Sequence, residues 1–135
     1  MGRMTGKVAF VTGAARGQGR SHAVDLADEG ADLVIVDIGE DITTNGYPLA
    51  SPADLEETVR LVEQAGRRVI SAQVDVRDRV VLSKVLDDAV AELGGLHVLV
   101  ANPGICPVGH DVSAPGSVAA LHVASVRVAR PPHAR

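Results

Sequence analysis

Aromatic side chains are almost missing from this chain: Phe10 and Tyr47 are the only two, and there is no Trp. A core built here must therefore be aliphatic, and no aromatic platform is available for stacking the bases of a single-stranded nucleic acid. Cys106 stands alone, which excludes an internal disulfide framework and a thiolate metal cage. Lys7 and Lys84 are the only lysines, so basic charge is carried almost wholly by Arg, and the balance is still acidic at −4. That balance offers no pull toward nucleic acid or an anionic membrane. No apolar run reaches the roughly 18–20 residues of a spanning helix, and the N-terminus has no signal-peptide cleavage pattern. The expectation is a cytoplasmic protein with neither nucleic-acid nor membrane partners. The histidines at 22, 97, 110, 122 and 133 show no ligand spacing with Cys or carboxylates, so no metal is expected.

What the chain does contain is a repeated alternation. Short apolar runs at 7–12, 32–37, 68–75 and 96–101 read as buried strands. Between them lie helical patterns: from about Gly17 to Glu29, from Ser51-Pro52 to Gly66, and from an Asp78 cap through Leu93. Gly30 suits the left-handed position that ends the first. Ser51 followed by Pro52 and an acidic first turn suits the start of the second. In the third, Val81, Val85, Ala89 and Leu93 share one side, with Leu82 and Leu86 alongside. Strand and helix in strict alternation predict an α/β fold: a parallel sheet covered by helices on both faces. Right-handed crossovers then give the strand order 3-2-1-4, the N-terminal half of a doubly wound, Rossmann-type sheet.

The segment between the first strand and first helix, "TGAARGQG" at 12–19, carries the functional signal. Gly13 allows a tight turn out of the strand. Gly17 lets backbone approach a pyrophosphate, and Gly19 lets the helix pack closely. Ala15, Arg16 and Gln18 fill the loop, whose amides at a helix start attract phosphate. Asp37, at the end of the second strand and followed by Ile38, can accept hydrogen bonds from an adenosine ribose and would repel a 2′-phosphate. That favours NAD over NADP, although Arg16 could pair with a 2′-phosphate. Asp75 and Val76 end the third strand, where a carboxylate and an apolar side chain suit adenine. Asn102 and Gly104 follow the fourth strand on the same side of the sheet. No Gly-Lys-Ser/Thr follows the loop, which excludes a P-loop nucleotidase.

"TGAARGQG", Asp37, "DV" at 75–76 and "ANPG" at 101–104 together resemble the short-chain dehydrogenase/reductase family. The likeness covers roughly residues 5–106. With the long "DITTNGYPLASPADLEETVRLVE" segment, the chain is similar to the carveol dehydrogenase-like branch coupled to mycofactocin. The resemblance implies a nicotinamide dinucleotide as partner, NAD held tightly, and hydride transfer to or from an alcohol or ketone. Intact relatives of this kind are expected to be homo-oligomers.

The family's catalytic Tyr, four residues before a Lys, and its upstream Ser cannot be placed here. Tyr47 has Ser51 at that spacing, and Lys84 has no Tyr before it. No catalytic residue is therefore assigned. Pro103 stands where the family usually has Ala. After Cys106 the composition changes, and nothing there resembles another strand and crossover, although a helix over 115–128 fits the propensities. The expectation is a half-domain over 1–106 and an atypical tail over 107–135 left by truncation or a frame shift. "LHVLVA" would then be an exposed sheet edge. A non-catalytic nucleotide-binding remnant is the alternative to an oxidoreductase.

Overall fold

A computed structural model of the chain describes residues 2–41, 48–102 and 125–128. Five strands and three helices follow in the order β1 (Val8–Thr12), α1 (Gly17–Asp28), β2 (Asp32–Asp37), α2 (Pro52–Gln64), β3 (Val69–Gln73), α3 (Arg79–Leu93), β4 (Val98–Ala101) and β5 (Ser125–Val128). They form one sheet ordered β3-β2-β1-β4-β5, parallel from β3 to β4. The expected 3-2-1-4 arrangement is therefore present.

β1 and β2 are the central strands, and their residues Val8–Thr12 and Asp32–Val36 are buried throughout. Unbroken apolar runs suit strands covered on both faces. On one face Ala9, Val11, Leu33 and Ile35 meet Ala23 and Ala27 of α1 and Leu55 and Val62 of α2. On the other, Val8, Phe10, Val34 and Val36 meet Ala89 and Leu93 of α3. The small residues on α1 let that helix sit close to the sheet. Its last turn is closed by Gly30 and Ala31 amides donating to the Ala27 and Leu26 carbonyls, at 2.9 and 3.0 Å.

α3 differs from its sequence reading. Val81 was expected on the buried side and is 43% exposed, while Leu82, Val85 and Leu86 are only partly buried. The reason is the layer it belongs to. Two helices share the first face, whereas α3 lies alone on the second among the described residues.

The largest correction concerns the tail. A helix was expected across 115–128, but Ser125–Val128 is a strand, antiparallel to β4 with Val126 opposite Val100. Residues 115–124 lie outside the described residues. β4 is consequently not the edge of the sheet: an extended Val-containing stretch can pair its backbone with the open N–H and C=O groups of β4, whereas a helix over these residues would bond within itself and leave that edge unpaired. Among the described residues no helix is long and apolar enough to cross a membrane.

Candidate functional site

All four parallel strands end on the same side, and the predicted site residues among the described ones collect there. Gly13, directly after β1, has φ of +63°, and a Cβ built on it would stand 2.2 Å from the Asn102 carbonyl oxygen. The Asn102 amide in turn donates to Thr12 Oγ1 at 2.9 Å. The loops after β1 and β4 are thus pressed together, and only glycine fits between them. Gly19, in the first turn of α1, is fixed by contact of another kind: its Cβ would fall 1.9 Å from the Gly13 carbonyl oxygen. Gly17 has φ of +60° but open space where its Cβ would be. Gly13 thus makes the turn out of β1 expected of it, Gly19 packs the start of α1 against the Gly13 carbonyl, and Gly17 leaves its outer surface clear.

Arg16 takes the N-cap position of α1 in extended geometry, and no side chain caps the helix. The other helices are capped conventionally. Ser51 and Asp54 form a reciprocal capping box on α2, and Asp78 accepts from the Val81 amide on α3. The start of α1, with Arg16, Gly17 and Gln18 all exposed, therefore presents amide donors and the positive end of the helix dipole to whatever lies beyond.

Asp37 is brought to this loop. Its Oδ2 accepts from the Ala15 amide at 3.0 Å, and its carbonyl accepts from the Val74 amide at 2.8 Å. One residue thus ties together the ends of β1, β2 and β3. Ile38 follows it, half-buried. Arg16 does not turn toward Asp37; its guanidinium donates to the Pro48 carbonyl at 2.8 Å.

Asp75 and Val76 lie half-buried beyond β3. The Asp75 carboxylate accepts from Arg77, at 2.6 Å to Nη2 and 2.9 Å to the amide. The Arg77 guanidinium and amide hold its carboxyl below the usual carboxylate range. An ionised carboxylate keeps acceptor capacity beyond these bonds. Gly104 lies outside the described residues, as do Pro103, Cys106 and Tyr47. Lys84 sits on the exposed side of α3, paired with Asp88 at 3.1 Å.

Sequence reading missed the underside of the loop. Thr58, on α2 and fully buried, donates to the Ala14 carbonyl at 2.8 Å and lies 3.2 Å from that of Ala15. Arg20, one turn into α1, donates Nε to Thr58 Oγ1 at 3.0 Å and Nη2 to the carbonyls of Ala15 and Asp54. A threonine at a position where the apolar stripe of α2 calls for an aliphatic residue is the one signal that pointed there.

A glycine cradle, an uncapped helix start and a carboxylate at the end of the second strand fit the adenosine-diphosphate part of a dinucleotide. Comparison with known proteins agrees. The family model described as short chain dehydrogenase matches residues 7–123. The chain is 48% identical over 115 residues to (-)-trans-carveol dehydrogenase of Rhodococcus erythropolis, covering 83% of this chain and 42% of that one. Among solved structures, carveol dehydrogenase from Mycobacterium avium in complex with NAD is similar at 51% identity and TM-score 0.80, over 83% of this chain and 40% of that one. A short chain dehydrogenase from Mycobacterium paratuberculosis bound to NAD is similar at 56% identity and TM-score 0.77, over 78% and 40%. The chain spans about two fifths of the length of the curated relatives it matches, 42% in the case of the Rhodococcus protein.

Proposed function

Since this chain belongs to the short-chain dehydrogenase family, we propose that it supplies the NAD-binding half of an oxidoreductase acting on an alcohol or ketone. The observation that carries the reading is the 3.0 Å bond between Asp37 Oδ2 and the Ala15 amide, which sets a ribose-sized acceptor beside a phosphate-sized cradle. Gly13, Ala15, Arg16, Gly17, Gln18 and Gly19 would form the diphosphate cradle, with the Ala15 amide given to Asp37 and the amides at the start of α1 turned to phosphate. Asp37 and Ile38 would take the adenosine ribose, Asp75 and Val76 the adenine, and Asn102 with Gly104 the neighbouring part of the cofactor. Bound NAD would supply the hydride acceptor, and this chain's part is to fix it and keep its adenosine end out of water.

NAD is the proposed cofactor because a carboxylate at Asp37 would face a 2′-phosphate with like charge, while Arg16 is engaged by Pro48. Tight retention of NAD and coupling to mycofactocin are carried over from the resemblance of the sequence motifs alone; the similar solved structures support NAD itself as the bound coenzyme. Proton transfer to substrate is assigned to no described residue.

Calorimetric titration of the chain with NAD, NADP and ADP tests the reading. NAD and ADP should bind and NADP should bind at least about tenfold more weakly, with Asp37→Ala erasing that preference. Equal binding of NAD and NADP by the native chain would overturn the cofactor assignment.

A further inference from the structure

The amides that would meet a diphosphate lie on one side of the loop; the opposite side is fastened by two residues outside the glycine loop, Arg20 and Thr58. Thr58 Oγ1 has a single proton, and its shortest acceptor is the Ala14 carbonyl at 2.8 Å. Its lone pairs receive Arg20 Nε at 3.0 Å. Arg20 Nη2 then donates to the Ala15 carbonyl and, at 2.8 Å, to the Asp54 carbonyl. Both loop carbonyls are therefore tied down to α1 and α2.

Peptide planarity carries this to the other side. In a trans peptide the C=O and the following N–H point in opposite directions. Fixing the Ala14 carbonyl fixes the Ala15 amide, which is the donor to Asp37 Oδ2 at 3.0 Å. Fixing the Ala15 carbonyl fixes the Arg16 amide, for which no described residue supplies an acceptor. The same network thus aims one amide at Asp37 and leaves the next one, beside the uncapped start of α1, without an acceptor among the described residues.

We propose that Arg20 and Thr58 are positioning residues for the dinucleotide's diphosphate, locking the Ala14–Arg16 peptides so that the loop amides are prealigned for phosphate oxygens. The proposal rests on the dinucleotide reading above. A preformed cradle binds more tightly because ordering has been completed before the ligand arrives. Thr58 sits on the second crossover helix, so α2, rather than the loop alone, sets the geometry of the cradle. Arg20 brings the planar fork needed to reach Thr58 and two carbonyls at once, which a lysine ammonium cannot reproduce.

The test compares ADP with adenosine on the full chain, using ligand-observed NMR for the weaker binder, with circular dichroism to check folding. Adenosine uses Asp37 and the adenine site but no phosphate contact. Thr58→Val keeps the shape and removes the hydroxyl; Thr58→Ser restores it; Arg20→Met removes the fork. Arg20→Met, which releases the Ala15 carbonyl and with it the Arg16 amide, should weaken ADP by about fivefold to tenfold while adenosine changes less than about twofold. Thr58→Val should weaken ADP by a similar factor and adenosine by clearly less, because Asp37 is also held at its own carbonyl by the Val74 amide. Thr58→Ser should return ADP binding to near the native value. A parallel loss for ADP and adenosine would mean that the residues only hold the fold, and overturns the proposal. So does unchanged ADP binding in a folded variant. Should Thr58→Val not fold, Arg20→Met and Thr58→Ser carry the same comparison. A folded native chain that binds neither ADP nor NAD overturns the dinucleotide reading itself, and this proposal with it.

Discussion

A methyl group is enough to separate the roles of Gly13 and Gly17. On Gly13 it would meet the Asn102 carbonyl at 2.2 Å with φ already at +63°, so both sterics and backbone conformation oppose it. Gly13→Ala should cost at least about 3 kcal/mol in urea denaturation. Gly17 is opposed by conformation alone, its φ being +60° with nothing nearby. Gly17→Ala should cost about 1–2 kcal/mol and leave a folded chain whose ADP affinity has dropped. If the two variants were equally stable, the packing of the β1 loop against the β4 loop would be wrong.

Asp32 shows the same scale acting on stability. Its side chain is 6% exposed and accepts from Arg67 at 2.7 Å and Arg68 at 2.7 Å. Burial pushes its carboxyl up, but hydrogen bonds from Arg68 and the charges of Arg67 and Arg68 outweigh that, leaving it below the ordinary Asp range. A carboxyl lowered on folding stabilises the native state above its unfolded pKa, near pH 4, and that contribution is lost as pH falls through the folded value. Asp32→Asn should cost about 1–3 kcal/mol at neutral pH. Its stability curve should converge on the native one in acid; a constant gap down to about pH 2 would contradict the clamp.

Among the elements, the helices divide by how they begin. α2 is closed by Ser51 and Asp54 and α3 by Asp78, whereas the first turn of α1 has no side-chain cap. Ser51→Ala should lower stability by about 1 kcal/mol. Arg16→Ser should do the reverse, adding about 0.5–1 kcal/mol by capping α1 while weakening ADP, because its hydroxyl takes an amide from the phosphate. A gain in both stability and affinity would argue that the bare helix start is not a binding feature.

These elements were legible in the sequence to the degree that local chemistry decided them. β2 falls on Asp32–Asp37 as its apolar run predicts, and the Ser51-Pro52 and Asp78 starts are where their capping chemistry puts them. The Thr58–Arg20 bracing was not legible, since it joins residues 38 positions apart through the packing of α1 on α2. β5 was missed because "SVRV" is too short to show a period, and its pairing with β4 is decided by the sheet rather than by its own propensity.

At the scale of the whole molecule, the site exists because parallel strands end together. The order β3-β2-β1-β4 sets the glycine loop between the ends of β2 and β4, with α1 rising behind it. β5 covers the flank of β4 with an antiparallel ladder running from Val98 opposite Val128 to Ala101 opposite Ser125. Removing residues 125–135 should leave β4 open to pairing with other copies, and light scattering should then rise with concentration. A shortened chain that stays monomeric would show that β5 is dispensable as an edge guard.

The most direct measurement is calorimetric titration of the folded 135-residue chain with NAD and, separately, NADP. The account predicts saturable binding of NAD with one site per chain and at least about tenfold weaker binding of NADP. A chain shown to be folded by circular dichroism that takes up neither coenzyme, or takes up NADP as readily as NAD, would contradict it.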